Sequence, residues 1–315
     1  MMTPVQAAEF LKSRDDILIL THRRPDGDTI GCAAGLCAAL RRIGKRAAIL
    51  YNEEITPNNA HYAEPYWTED GSDFTTVVSV DVAAYDLFPK NAKPYVEKIA
   101  LAIDHHPSFE EFGENHCVYP ERAACGEIVY EIVCAMDALA PESALPLYAA
   151  VSTDTGCFVY TNTTPNTHRV AAALMEQGID YKTVNKRHFR TKTKKRLALE
   201  GAMLSTMEFF DEGRVVVLQV PCALMESVQA TEADAEDLSA LGGLVEGTDC
   251  SITMRELDAG VWKVSVRSGK RINATEVCAK HGGGGHAAAA GCTVRGTADE
   301  VKAMLLASVD EVAHG

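Results

Sequence analysis

Three short apolar runs in this chain each end in residue types that bind metal ions. Residues 18–20 lead into His22, Asp26 and Asp28, residues 76–80 lead into Asp81, and residues 99–103 lead into Asp104, His105 and His106. In an open, mostly parallel sheet, ligands bind in the crevice beyond the carboxyl ends of the strands. The sequence therefore predicts an α/β fold in which one edge of a parallel sheet gathers these side chains.

A fourth apolar segment, residues 149–151, leads to Asp154 and a turn glycine at position 156. Each residue alone has an ordinary structural explanation: Asp28 suits a helix N-cap, and Asp81 or Asp154 suits a turn at the end of a strand. Together, however, they would concentrate negative charge that a cation would compensate. The candidate metal ligands are His22, Asp26, Asp28, Asp81, His105 and Asp154.

The ligand types indicate the kind of ion. Imidazole and carboxylate without thiolate suit Mn²⁺ or a related first-row ion better than an all-oxygen Mg²⁺ or Ca²⁺ site. Six protein ligands are more than one open catalytic ion needs. Two ions about 3.5 to 4 Å apart would use them and would clamp the attacking and leaving oxygens of a phosphoryl displacement. Asp26 and Asp28, separated only by Gly27, are placed to bind different ions.

Length and composition limit the kind of protein. The 315 residues are enough for two hydrophobic cores, and the 47% hydrophobic and 23% charged fractions are those of an ordinary globular protein. A net charge of −14 disfavours binding to long nucleic acid, because that requires a broad positive face. A small anionic ligand in a locally positive cleft is still permitted.

The cysteines and the apolar segments indicate the compartment. Ten cysteines without a C-x-x-C pair form neither a zinc framework nor a small disulfide scaffold. Several lie in apolar helical runs, where cysteine behaves as a small buried hydrophobe. The N-terminus has no basic-then-apolar leader pattern, and no apolar run reaches about 18 residues. We therefore expect a cytoplasmic protein without a membrane partner.

The order of elements predicts two domains. Residues 16 to 180 alternate short β-branched runs with helical stretches, which is typical of βαβ units. The first helix is predicted over residues 29–42, with Asp28 as its N-cap and Gly44 at its end, and later helices over 126–136 and 166–177. We expect a parallel-sheet catalytic domain over 1–185, a basic linker helix over 186–204 and a smaller α/β domain over 205–315.

The segment 186–196 is basic within an acidic chain. A charge run of this kind is usually a solvated helix face. Its predicted position between two domains would also let Arg190 or His188 meet an anion in the cleft. The sequence leaves both interpretations open.

The pattern changes after residue 205. It predicts a strand at 214–220, an acidic helix near 231–241, a hairpin of strands 251–257 and 261–267, a helix over 273–280, a short strand near 292–294 and a terminal helix from 298. The glycine-rich run 281–286 is either a flexible turn or a place where backbone N–H groups approach a phosphate, with His286 as a further donor. Arg267 would bind a terminal phosphate through two N–H groups or form a surface salt bridge.

These residues resemble the motifs of a known family. His22-Arg-Arg-Pro-Asp26-Gly-Asp28, Asp81, Asp104-His105-His106 and Asp154-Thr155-Gly156 are similar to the four motifs of the DHH phosphoesterase superfamily. Residues 263–268, 273–274, 282–286 and 289–291 resemble the DHHA1 domain that often accompanies it. The resemblance spans nearly the whole chain. It is strongest to the NrnA-type enzymes, oligoribonucleases that degrade very short RNAs and also dephosphorylate 3′-phosphoadenosine 5′-phosphate (pAp).

The resemblance implies a role for each residue. His22 and Asp26 would bind one ion and Asp28 and His105 the other, with Asp81 bridging and Asp154 completing the set. Asp104 would orient a histidine. His106 would face the substrate and polarise the phosphate or protonate the leaving oxygen. The implied substrate-binding residues are Arg190, Arg267, Ser268, Gly283, Gly284, Gly285 and His286.

The expectation is a phosphoesterase that uses two Mn²⁺ or other divalent ions to hydrolyse very short RNA to nucleoside 5′-monophosphates, pAp to AMP, or both. One alternative substrate is pApA, the linear product of cyclic dinucleotide breakdown. A pyrophosphatase is disfavoured, because related enzymes of that kind lack the Gly-Gly-Gly-Gly-His run in their second domain. A non-catalytic nucleotide-binding module with structural metals is the alternative from another class. The oligomeric state, a homodimer included, stays open.

Overall fold

The computed structural model describes residues 1–235, 238–269 and 271–314. The chain forms two compact units, Met1–Thr191 and the residues from Lys192 onward. The single linker helix predicted over 186–204 is instead two elements: a π-helical turn, Lys186–Arg190, in the first unit, and a helix, Lys194–Leu204, in the second. Thr191 between them is extended, which suits a β-branched residue, and the Thr193 side chain caps the second helix.

The first unit contains a six-stranded parallel sheet in the order β3-β2-β1-β4-β5-β6. Its strands are β1 (Ile17–Leu20), β2 (Ala47–Leu50), β3 (Trp67–Thr68), β4 (Thr76–Val80), β5 (Ile99–Asp104) and β6 (His116–Val118). Ile17 and Ile19 belong to one buried cluster and Leu18 and Leu20 to another, so both faces of the sheet are covered. The predicted α/β class with a parallel sheet is confirmed.

Eight helices accompany this sheet in the first unit: α1 (Pro4–Lys12), α2 (Gly27–Arg42), α3 (Pro57–Ala63), α4 (Lys93–Val96), α5 (Cys125–Ala135), α6 (Pro141–Asp154), α7 (Pro165–Met175) and α8 (Tyr181–Asn185). The predicted N-cap of α2 is wrong by two residues. Asp26, not Asp28, caps it, because the Asp26 side chain accepts hydrogen bonds from the backbone N–H groups of Asp28 and Thr29. Gly44 lies just beyond α2 at a φ of 83°, as predicted for a helix end.

The second unit contains a mixed sheet in the order β11-β12-β10-β9-β8-β7. Its strands are β7 (Glu208–Phe210), β8 (Val215–Val220), β9 (Cys250–Asp258), β10 (Val261–Ser268), β11 (Gly284–His286) and β12 (Ala289–Arg295). Its helices are α9 (Lys194–Leu204), α10 (Cys222–Ser227), α11 (Ala274–Ala279) and α12 (Ala298–His314). The β9–β10 hairpin, α11 and α12 confirm the predicted elements of this smaller α/β unit.

Two predictions for the second unit differ from the structure. The acidic helix near 231–241 is replaced by 3₁₀ turns at Ala233–Ala235 and Leu238–Leu244, and residues 236 and 237 of that prediction lie outside the described residues. The glycine-rich run is not a loop throughout, because Gly284–His286 forms β11.

The cysteines are unpaired and several of them are buried. All ten cysteines are free thiols, and Cys32, Cys37, Cys117 and Cys125 are buried in the first unit. In the part of the chain that the structure describes, no helix is both long and apolar enough to cross a membrane.

Candidate metal centre

All six predicted metal ligands lie at the carboxyl edge of the first sheet. His22 follows β1, Asp26 and Asp28 begin α2, Asp81 follows β4, His105 follows β5, and Asp154 ends α6. Asp154 therefore arrives from the end of a helix, whereas the apolar segment before it resembled another strand. Short apolar runs do not distinguish a strand from a buried helix by periodicity alone.

The ligands form two groups of three that share no residue. His22, Asp26 and Asp81 form one, and Asp28, His105 and Asp154 the other, with the ligand atoms of each group within 4.8 Å of one another. Asp81 also belongs to a further group with His105 and His106. The six side chains are thus divided between two neighbouring positions.

Asp81 joins the two positions through its two carboxylate oxygens. Its Oδ2 lies 3.9 Å from His22 Nε2, and its Oδ1 lies 3.5 Å from His105 Nε2. The Asp81 side chain is 3% exposed, and its backbone has a φ of 57°, which is uncommon for a residue other than glycine. The hydrogen bond from Asp81 N to Ile103 O holds it beside β5 at 2.9 Å. This is a strained conformation of the kind that persists at functional sites when neighbours enforce it.

Backbone carbonyls orient the two ligand histidines. His22 Nδ1 donates to the Arg23 carbonyl at 2.8 Å, and His105 Nδ1 donates to the Arg122 carbonyl at 3.1 Å. The neutral tautomer therefore carries its proton on Nδ1 and leaves the Nε2 lone pair toward the carboxylates, as in most metal-binding histidines. Sequence patterns contained no signal for the Arg122 carbonyl, because a backbone acceptor leaves no residue-type signature.

Asp28 has a second contact that the sequence did not indicate. Its carboxylate accepts hydrogen bonds from Cys125 N at 2.8 Å and Gly126 N at 3.0 Å, at the first turn of α5. The Cys32 thiol donates to the same carboxylate at 3.2 Å. The positive end of α5 therefore fixes Asp28, which is 1% exposed.

Burial and mutual repulsion raise the pKa values of Asp81 and Asp154. Burial and the charges of Asp28 and Asp26 raise the pKa of Asp81 well above its usual range, and the same three causes raise the pKa of Asp154 to about 8. Burial lowers the pKa of His22, but the Asp26 carboxylate, 3.7 Å from Nε2, outweighs it and raises that pKa overall. Without a cation, these side chains thus tend to keep their protons, and a bound cation would displace those protons.

The residues present fit divalent cations. Asp81 Oδ1 is buried and accepts no hydrogen bond from the described residues, so it has an unused lone pair directed into the cluster. The Nε2-to-carboxylate separations of 3.5 to 3.9 Å are too long for hydrogen bonds. Imidazole nitrogens and carboxylate oxygens without a thiolate ligand are the donors expected for a first-row divalent ion.

Metal binding should stabilise the protein more strongly at higher pH. Because the Asp154 pKa is raised to about 8, the metal-free fold binds an extra proton that the unfolded chain, with a pKa near 3.8, has already lost. The stabilisation that this proton gives to the metal-free fold is complete below about pH 4 and disappears as the pH rises through 8. We expect thermal unfolding in EDTA to occur at lower temperature at pH 8.5 than at pH 6, and the gain on adding Mn²⁺ to be larger at pH 8.5. Equal gains at both pH values would contradict this. Asp154→Asn should reduce the pH dependence.

In the second unit, the structure explains why the glycine-rich run 281–286 contains glycines. A Cβ at Gly283 would lie 2.2 Å from Gly291 O, and a Cβ at Gly285 would lie 2.6 Å from Ala289 O, so both positions need glycine for the close approach of β11 to β12. A Cβ at Gly284 would meet nothing within 4 Å. Gly284, Gly285 and His286 are all exposed. Packing thus accounts for two of the predicted substrate-binding glycines independently of any ligand.

The other predicted substrate residues of the second unit lie beside this hairpin. Ser268 Oγ donates to Ala287 O at 3.0 Å, and Arg267 is paired with Ala289 in the β10–β12 register. In the described part of the chain, the Arg267 guanidinium forms no ion pair, and its Nη1 donates only to Val266 O at 3.3 Å. Among the described residues, the surface salt bridge considered for Arg267 is therefore not formed. Arg190, in the π-helical turn of the first unit, is exposed.

The chain resembles known proteins along most of its length. The sequence matches the DHH family, N-terminal domain, over residues 16–151 and the DHHA1 domain over residues 226–315. The bifunctional oligoribonuclease and PAP phosphatase NrnA of Thermus thermophilus is 35% identical over 92% of this chain and 87% of that protein. The protein of the same name from Bacillus subtilis is 25% identical over 89% of this chain and 90% of that protein.

A solved structure shares the fold. The exopolyphosphatase-related protein of Bacteroides fragilis has a TM-score of 0.89 at 22% identity and covers 98% of this chain and 96% of its own. Two family models thus match successive parts of the sequence, and five of the six candidate metal ligands, all except Asp154, lie within residues 16–151. The chain belongs to the DHH phosphoesterase family and carries the DHHA1 domain as its second unit.

Proposed function

We propose that this protein hydrolyses very short RNA oligonucleotides to nucleoside 5′-monophosphates and converts pAp to AMP, using two divalent cations. The relatives from Thermus thermophilus and Bacillus subtilis are named for the oligoribonuclease and PAP phosphatase activities. The observation that carries the proposal is the position of Asp81, whose two oxygens face His22 and His105 in separate groups of ligands. A bridging carboxylate of this kind suits a pair of ions.

The ions, when bound, would polarise the scissile phosphate and lower the pKa of the attacking water. His22, Asp26 and Asp81 would hold one ion, and Asp28, His105 and Asp154 the other, with Asp81 shared. Mn²⁺ is the ion that we propose, since mixed imidazole and carboxylate ligands suit it.

His106 is the proton donor that we propose for the leaving oxygen. Its Nδ1 lies 2.7 Å from Asp104 Oδ1, so Nε2 is left to face a substrate, and its side chain is 33% exposed. Burial lowers the pKa of His106, but the hydrogen bond and charge of Asp104 outweigh it, so that pKa is raised overall. A protonated imidazole can donate to the departing oxygen or stabilise charge on the phosphoryl group.

Asp104 positions His106 and the adjacent backbone. Its Oδ1 also accepts hydrogen bonds from His105 N at 2.6 Å and from His106 N at 3.0 Å. Asp104→Asn should lower kcat by about 10- to 100-fold, because the imidazole loses its charged partner while keeping a neutral acceptor. His106→Gln should lower kcat by about 10²- to 10⁴-fold. Both variants should still bind Mn²⁺ in isothermal titration calorimetry. Wild-type kcat in both would remove His106 from the mechanism.

The second unit supplies the other substrate-binding residues in this proposal. Arg267 has a guanidinium without an ion pair among the described residues, and the exposed Gly284–His286 strand offers backbone N–H groups and an imidazole. A substrate of a few nucleotides needs only these few positive or donor groups. This is consistent with a chain of net charge −14.

Substrate turnover tests the proposal directly. ApA, pApA, pAp and inorganic pyrophosphate would each be incubated with the protein and Mn²⁺, and with EDTA as control. We expect Mn²⁺-dependent release of AMP from the dinucleotides and from pAp, and poor turnover of pyrophosphate. Nucleotide binding without Mn²⁺-stimulated turnover of any substrate would instead support a non-catalytic nucleotide-binding module. Rates on pApA far above the other rates would identify a cyclic-dinucleotide product as the main substrate.

A further inference from the structure

A basic cluster in the first unit lies outside the metal centre. It consists of His61 and Tyr62 on α3 together with Arg187 and His188 in the π-helical turn. Arg187 Nη1 donates to His61 Nε2, and the Tyr62 hydroxyl lies 3.1 Å from His188 Nε2. The rings of Tyr62 and His188 are stacked with centroids 6.0 Å apart. π-Helical turns are rare and frequently occur at functional sites.

The charge of this cluster is unbalanced. Among the described residues, the Arg187 guanidinium forms a hydrogen bond with an imidazole and no ion pair with a carboxylate. Burial, followed by the charges of His61 and Arg187, lowers the pKa of His188 to about 4. Burial and Arg187 likewise lower the pKa of His61. In the described part of the chain, the charged groups that act on either histidine are thus positive, although the whole chain is acidic.

The hydrogen bonds of the cluster are also incomplete. Because His61 Nε2 accepts from Arg187, the neutral ring carries its proton on Nδ1. Nδ1 is buried and has no hydrogen bond of normal geometry among the described residues, although the Asn58 backbone lies close enough to raise the pKa of this ring. A guanidinium has five N–H donors, and the contact with His61 uses one of them. A positive group with unused donors in a half-buried site is suited to an oxyanion.

One hydrogen bond and one electrostatic interaction link α3 and the π-helical turn to segments that carry candidate metal ligands. Asn59 on α3 donates to Pro25 O at 3.3 Å, within the loop between His22 and Asp26. Arg190 lies at the other end of the turn, near Cys157. Burial raises the pKa of the Cys157 thiol overall, and the charge of Arg190 opposes that rise. Cys157 follows Asp154 by three positions in the sequence. Pro25 and Cys157 therefore both belong to segments that carry candidate metal ligands.

We propose that Arg187, supported by His61 and His188, binds a phosphate group of the substrate other than the one that is hydrolysed. This inference rests on the proposed function and makes it more specific. Substrates with a second phosphate, such as pAp or a 5′-phosphorylated dinucleotide, are then preferred over substrates that have only the scissile phosphate. The cluster supplies affinity for the substrate and takes no part in bond cleavage.

The test compares pApA with ApA, which lacks the 5′-phosphate, in steady-state assays with Mn²⁺. We expect a higher kcat/KM on pApA for the wild type, and we expect Arg187→Gln to reduce that preference by about tenfold or more, mainly through KM. Activity of Arg187→Gln on ApA should stay within about twofold of the wild type. Arg187→Lys, which keeps the charge without the planar fork, should give an intermediate preference. The exposed Arg169 on α7 offers a matched control, because Arg169→Gln removes the same charge from the same unit.

The possible results separate this inference from the proposed function. No hydrolysis of either dinucleotide by the wild type would contradict the proposed function itself. Hydrolysis of both with no preference for pApA, or an unchanged preference in Arg187→Gln, would overturn the inference alone. Equal losses on pApA and ApA would assign Arg187 a structural role and would overturn it too. A change only in inhibition by free inorganic phosphate would show that the cluster binds the released product, which also contradicts the proposal.

Discussion

Asp81→Asn is expected to reduce Mn²⁺-dependent hydrolysis on the order of 10³-fold or more. Asp81 is the carboxylate that both ligand groups approach, with His22 Nε2 and His105 Nε2 at 3.9 and 3.5 Å from its two oxygens. An amide keeps one acceptor oxygen and loses the charge, so it cannot hold two cations. The metal stabilises the transition state by several kcal/mol, and each 1.36 kcal/mol corresponds to a tenfold change in rate.

Asp81→Asn should lower the activity without destabilising the metal-free fold. Burial and the charges of Asp28 and Asp26 raise the pKa of Asp81 well above its usual range, so the ionised carboxylate is unfavourable in the metal-free fold. In EDTA at pH 8 the variant should therefore unfold at the same temperature as the wild type or higher. Asp86 is an exposed acid that, like Asp81, follows β4 in the sequence. Asp86→Asn is therefore the control and should keep full activity. Activity of Asp81→Asn within tenfold of the wild type would show that this carboxylate binds no catalytic ion.

Gly31→Ala is expected to destabilise the protein by about 3 kcal/mol or more. A Cβ at Gly31 on α2 would lie 2.3 Å from the backbone oxygen of Pro146 and 2.8 Å from Ala150 Cβ, both on α6. A backbone atom cannot move aside as a flexible side chain can, so the two helices must separate. Asp28 begins α2 and Asp154 ends α6, so the same change should also weaken Mn²⁺ binding.

Urea denaturation and calorimetric Mn²⁺ titration measure these two effects. Gly201→Ala is the matched control, since Gly201 is an exposed helical glycine whose Cβ would meet nothing within 4 Å. That substitution should stabilise the protein by about 0.5 to 1 kcal/mol, the usual gain for alanine over glycine in a helix. A Gly31→Ala protein as stable as the wild type would mean that α2 and α6 are not in the close contact described.

Much of the metal centre was predictable because the signal was local. His22, Asp81 and His105 directly follow apolar strands, and parallel strands bring their carboxyl ends to one edge. The β9–β10 hairpin was predictable for a similar reason, since a turn with Gly260 separates two alternating runs. The elements that could be predicted are those whose conformation is determined by their own local sequence.

The remainder depended on contacts between distant parts of the chain. Asp28 resembled a helix cap, yet its carboxylate binds N–H groups of α5, 97 and 98 positions later in the sequence. His61 and Arg187 are 126 positions apart, and neither has a sequence context that indicates the other. The glycine-rich run resembled a loop because its composition is typical of loops, whereas pairing with β12 makes part of it a strand. Tertiary packing decided each of these cases.

Crystals soaked in Mn²⁺ and measured at the manganese absorption edge test the central claim most directly. We expect two anomalous peaks per chain, about 3.5 to 4 Å apart, with Asp81 between them. His22 and Asp26 should contact one peak, and Asp28, His105 and Asp154 the other. A single peak, or peaks that do not contact Asp81, would contradict the account.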